Sequence, residues 1–181
     1  MVRKFVAGLL TVALVVLTGC SSAVGLRAFA DAAGQYSFSY PNGMIRVDAP
    51  KREGAPVVLL RDLVFEDEGV NLMVADFDKA SRIDELGDIQ AVGLQVADKI
   101  LAPPGSNRTA KLLNGGQLEQ NGKLYYIFEF ASQVGNFPRH DVVAVTIDRH
   151  RLFTLTASTS EQRWPKVNKA FYEVAQSLRV G

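Results

Sequence analysis

The side chains best suited to chemistry are scarce in this sequence: one cysteine, two histidines and one tryptophan. His140 and His150 are the only imidazoles for acid–base work or metal ligation. A hydrolase triad would need one of them beside a nucleophile and an orienting acid. The chain carries no Gly-x-Ser-x-Gly elbow, no phosphate-binding glycine loop and no HExxH helix. The residue types therefore point away from an enzyme.

His140 is the histidine with neighbours. It opens the β-rich run Arg139 to Ile147, and Glu161 lies just beyond the end of the run Leu152 to Ser158. Antiparallel pairing of the two runs brings imidazole and carboxylate together at one edge of a sheet. Such a pair could ligate Zn²⁺ or Mn²⁺, although two ligands make a weak site; the alternative is a hydrogen bond or ion pair. His150 falls at the tip between the two runs and reads as solvated. Arg163 and Trp164 are candidate docking residues, since Arg and Trp are common interface anchors. The alternative is that Trp164 plugs the core where the last helix starts and Arg163 pairs locally. Glu129 interrupts an apolar run, which implies an ion pair with a neighbouring strand or exposure at a sheet edge.

Cys20 belongs to a different chemistry. Arg3 and Lys4 precede a mostly apolar stretch, Phe5 to Leu17, of about thirteen residues, the length of a signal core and short of a membrane span. The stretch ends in Leu17-Thr18-Gly19-Cys20, which resembles the lipobox of bacterial lipoproteins. That resemblance implies a diacylglyceryl group on the Cys20 sulfur and cleavage before it, so residues 1–19 are an export signal. A lipidated sulfur cannot serve as a thiolate, and a sole cysteine has no disulfide partner. Residues 20–35, rich in Ala, Gly and Ser, read as a flexible tether, and residues 36–181 as one domain.

Composition limits the partners. Twenty basic and nineteen acidic residues leave a formal charge of +1, with no basic stripe for nucleic acid. Hydrophobic residues at 48% supply a full core without any cofactor being required.

The elements that must position these groups follow from periodicity. Tyr36, Phe38 and Tyr40 alternate with serines as a strand, and Met44 to Val47 is a short second strand after the turn at Pro41-Asn42-Gly43. Val57 to Glu66 and Val70 to Phe77 read as a hairpin. Over Asp84 to Leu101 the spacing changes to helical, with Asp88 placed as an N-cap and Pro103-Pro104 ending the run. A strand over Thr109 to Glu119, interrupted at Asn114-Gly115-Gly116, turns at Asn121-Gly122 into Leu124 to Ser132. The hairpin bearing His140 comes next, then a helix over Pro165 to Arg179. Hairpins outnumber crossovers, so the fold class is α+β with a mainly antiparallel sheet between helices.

The ordered set Tyr36-Ser37-Phe38-Ser39-Tyr40-Pro41-Asn42-Gly43, Val70-Asn71-Leu72, Tyr125-Tyr126-Ile127-Phe128-Glu129-Phe130, Arg139-His140, Leu152-Phe153-Thr154-Leu155, Arg163-Trp164 and Ser177-Leu178 resembles the PsbP family, extrinsic lumenal proteins of photosystem II. With the lipobox, it is most similar to the cyanobacterial lipoprotein branch. The resemblance implies an α/β/α sandwich, a lipid anchor on the lumenal side of the thylakoid membrane, and contact with photosystem II core subunits or assembly intermediates. It also implies a His-plus-acid pair at His140 and Glu161, usually with Asp in the second place. Plant members retain calcium and chloride with an extended N-terminal segment, a role the short tether here does not support. Met44 departs from the family's usual Trp.

Overall fold

Alternating sequence becomes sheet along most of the chain. The computed structural model describes residues 25–52 and 54–181. Seven strands form the central sheet in the order β3-β4-β5-β9-β8-β7-β6. They are β3 (Met44–Arg46), β4 (Val58–Asp62), β5 (Gly69–Asp76), β6 (Arg108–Gln120), β7 (Lys123–Val134), β8 (Phe137–Asp148) and β9 (Arg151–Ser160). Every neighbouring pair runs antiparallel. A small sheet of β1 (Leu26–Ala30), β2 (Tyr36–Pro41) and β10 (Arg179–Val180) stands beside it.

Because side chains alternate along a strand, each central strand feeds two cores. Tyr125, Ile127, Val142, Ala144, Phe153 and Leu155 point to the side covered by helix α2 (Trp164–Gln176) and the small sheet. Tyr126, Phe128, Phe130, Val143 and Val145 point to the side covered by helix α1 (Ile89–Val96). The sheet is thus apolar on both faces and sandwiched, as the α/β/α expectation requires.

The structure corrects several boundaries. The expected tether over residues 20–35 contains β1, which pairs with β2 from Leu26↔Pro41 to Ala30↔Ser37. Phe29 explains the strand: its ring stacks on Phe38 at 5.1 Å and anchors a segment whose composition otherwise looks like linker. Cys20 and the expected export signal lie outside the described residues. The helix expected over Asp84 to Leu101 is divided. A single 3₁₀ turn, Ile83–Leu86, stops at Gly87 (φ 130°), and α1 restarts after Asp88, whose carboxylate accepts the Ala91 N–H at 2.8 Å. A wider π turn, Ala97–Leu101, closes the segment.

The interruption expected at Asn114 is a bulge, not a break. Pairing with β7 shifts between Leu112 and Asn114, leaving Leu113 as the extra residue. The glycines there serve close packing: a Cβ on Gly93 or Gly115 would lie 2.7 Å or 2.6 Å from a Leu112 or Ile89 methyl, so α1 sits directly on β6. β4 ends at Asp62 rather than Glu66, and residues 63–68 form a loop. The last helix ends at Gln176, freeing Arg179 and Val180 to pair with β2.

Candidate functional site

β8 and β9 pair His140 with Thr159, which places His140 at the end of two central strands, on the α2 face. The residue is only 4% exposed. Nδ1 lies 2.9 Å from Glu161 Oε2, so the two residues named from the sequence do meet. They meet beneath the first turn of α2, not at an open sheet edge. Nε2 lies 2.7 Å from Glu129 Oε1, the diagonal neighbour across the β7–β8 pair. Of the two readings of Glu129, the pairing with a neighbouring strand rather than exposure at a sheet edge is the one realised. An imidazole donates from both nitrogens only as the cation; with a neutral ring, one of the two carboxyl groups must hold the proton instead.

Trp164 closes this site from above. Its indole lies flat on the imidazole, centroids 3.8 Å apart and planes 8° from parallel, while its outer side remains half-buried. Two turns further along α2, the Tyr172 hydroxyl donates to Glu129 Oε2. Burial, and then the hydrogen bond and charge of Glu129, push the Tyr172 phenol up to about 12. Glu129 therefore accepts from Tyr172 and shares a hydrogen bond with His140, and it is the hinge of the network, a link to His140 that the sequence reading did not make. The available signal was parity: Glu129 shares a strand face with the core residues Tyr125 and Ile127.

Arg163 does pair locally. Its Nε lies 3.3 Å from the Glu68 carboxylate, which also accepts from Thr159 Oγ1 at 3.1 Å. The guanidinium stacks 3.4 Å from the centre of the Phe65 ring. His150 projects at the β8–β9 tip with its side chain 71% exposed, 3.5 Å from Asp78.

As metal ligands, His140 Nδ1 and Glu161 make two against the four that a zinc ion takes. Glu129 cannot complete the set, because it sits on the opposite ring nitrogen, pointing away. Among the described residues no group of three or more His, Cys, Asp or Glu side chains is arranged around one cation position.

The comparisons with known proteins fit this architecture. The PsbP family model matches residues 24–180. The chain belongs to the PsbP family. This PsbP-family protein is 32% identical to "CyanoP" of Thermosynechococcus vestitus (strain NIES-2133 / IAM M-273 / BP-1), over 99% of this chain and 100% of the relative. It is also 32% identical to "CyanoP" of Synechocystis sp. (strain ATCC 27184 / PCC 6803 / Kazusa), over 91% of this chain and 89% of the relative. The solution structure of Synechocystis CyanoP superposes with a TM-score of 0.72 at 31% identity, covering 90% of this chain and 96% of that one. The PsbP family is associated with photosystem II, which places this member among photosynthetic proteins. Among the described residues no helix is long and apolar enough to cross a membrane.

Proposed function

We propose that this PsbP-family protein is a lipid-anchored auxiliary of photosystem II, held on the lumenal face of the thylakoid membrane through Cys20. There it binds core subunits or assembly intermediates by contact, without catalysing a reaction. The observation that carries this reading is the match with a CyanoP relative over 99% of this chain and 100% of that one. Two features of the domain support it. The one buried histidine, His140, has both nitrogens engaged and its face covered by Trp164, so that imidazole is not open to a substrate. The first strand begins at Leu26, so only residues 21–25 separate it from the lipidated position. A domain tied so closely to a bilayer meets lumenal surfaces of membrane complexes at high effective concentration, and a modest interface then suffices.

The test is affinity purification of the tagged, lipidated protein from thylakoid membranes of a photosynthetic host, with an unrelated lipid-anchored domain as the control. Enrichment of photosystem II core subunits above that control is expected. Equal recovery with both baits would mean that co-residence in the membrane explains the association. Enrichment of a different membrane complex would replace the partner while leaving the anchor in place.

A further inference from the structure

The loop joining β4 to β5 breaks the usual rule for tight turns, which favour small and polar residues. At its tip Leu63 is 65% exposed, Val64 77% and Phe65 40%. The tip is firmly built. Asp62 Oδ1 accepts the N–H groups of Val64 and Phe65 at 2.8 Å each, and the Glu68 N–H bonds to the Phe65 carbonyl at 2.7 Å. The Arg163 guanidinium backs the Phe65 ring. What remains outward is a small rigid cap of hydrocarbon.

The position of Gly25, five residues after Cys20, decides what this cap faces. Gly25 accepts the Asn42 N–H at 2.8 Å, and the next residue, Gly43, carries a hydrogen whose replacement by Cβ would sit 3.4 Å from Asp62 Oδ2. Met44 then pairs with Asp62 itself. The N-terminal end of the domain and the Leu63-Val64-Phe65 tip thus lie against the same residue, Asp62. From Cys20 to Gly25 the chain can span at most about 18 Å. The turn between β7 and β8 emerges at the same end of the sheet, roughly 14 Å away by strand spacing, and carries Phe137 at 75% exposed. The opposite end, with the β8–β9 tip and Asp78, lies roughly 36 Å away along β8.

We propose that the Leu63-Val64-Phe65 tip is a second membrane contact, inserted at the surface of the bilayer beside the lipid anchor, with Phe137 as its outrigger. This rests on the reading of Cys20 as lipidated. The chemistry recognised is the apolar layer of a lipid bilayer rather than anionic headgroups, because the charges around the tip balance: Arg61, Arg108, Arg139 and Arg163 against Asp62, Glu66, Asp67 and Glu68. The contact fixes the domain's orientation. The tip end faces lipid, and the β8–β9 end projects into the lumen.

The test uses the mature lipidated protein on neutral phosphatidylcholine vesicles. V64C supplies a free thiol for an environment-sensitive dye, since the Cys20 sulfur is acylated; D78C supplies the control at the far end. Flotation reports anchoring, and iodide quenching reports insertion. Expected are co-flotation of both proteins, a blue-shifted V64C label and quenching several-fold weaker than at D78C. Equal quenching of the two labels on floating protein overturns the inserted tip and leaves the anchor standing. Failure to float overturns the anchor and the tip proposal together. Shielding of the V64C label only after photosystem II core complexes are added also overturns the proposal, in favour of a protein contact.

Discussion

The two helices close the same sheet in different ways. Under α1 the contact is hydrocarbon: Tyr126, Phe128 and Phe130 run down β7 in tilted and edge-on ring contacts, and Val92 and Val96 rest on them. Under α2 the middle of the helix does likewise with Val167, Phe171 and Val174, but its first turn lands on a hydrogen-bonded network of Glu129, His140 and Glu161 capped by Trp164. Dispersion and the hydrophobic effect have little directionality, so the α1 face settles by shape and volume. Hydrogen bonds to ionisable groups demand particular angles, so the α2 face specifies where the helix begins and which strand ends lie beneath it. The first arrangement supplies stability; the second supplies position.

Substitutions on each face test that contrast. The largest effect is expected on the hydrocarbon side: Phe128 is fully buried, and F128A should cost about 3–5 kcal/mol through lost burial and a cavity, read from the denaturant midpoint. E129A comes next. It leaves the His140 ring nitrogen and the Tyr172 hydroxyl without their hydrogen-bond partner, at a cost of about 1–3 kcal/mol. Should E129A match F128A, the network would be as much a foundation as the core, and the contrast would fail. No loss at all would mean that the network is dispensable to folding.

Alkaline titration sharpens the comparison further. The Tyr172 phenol ionises near 10 in the unfolded chain and at about 12 when folded, so above pH 10 the unfolded state releases its proton first. The stability held by this group is complete below pH 10 and drains away between pH 10 and about 12. Y172F should flatten that part of the stability–pH curve relative to the wild type, whereas F128A should leave its slope unchanged. The smallest effect belongs to E161Q. Glu161 is half exposed at the rim, and its replacement should change stability by less than about 1 kcal/mol while E129A changes it clearly.

The pattern of elements was largely legible, because alternation and helical spacing are local. Asp88 was readable as a cap, since an Asx residue before a helical stripe meets its own N–H partner three residues on. The strand Leu26–Ala30 was hidden because its register with β2 and the stacking of Phe29 on Phe38 are not properties of the segment itself. The end of β4 at Asp62 was hidden too: an apolar Leu-Val-Phe run reads as strand unless one knows that the Asp62 side chain takes two backbone N–H groups and folds it into a loop. At the site, His140 and Glu161 were within reach of a hairpin argument. Glu129 was not, since its contact depends on the register between β7 and β8, where a shift of one residue would have turned it to the other face.

By itself, the sequence determined the strand and helix order, the two-sided apolar character of the sheet, the resemblance to the PsbP family and the meeting of His140 with Glu161. These are encoded in periodicity, motif and the geometry of one short hairpin. Only the tertiary structure decided that His140 is enclosed between two carboxylates under Trp164, and that an apolar tip shares an end of the domain with the start of its first strand. Both depend on register and on packing between segments distant in the chain, which no local pattern records.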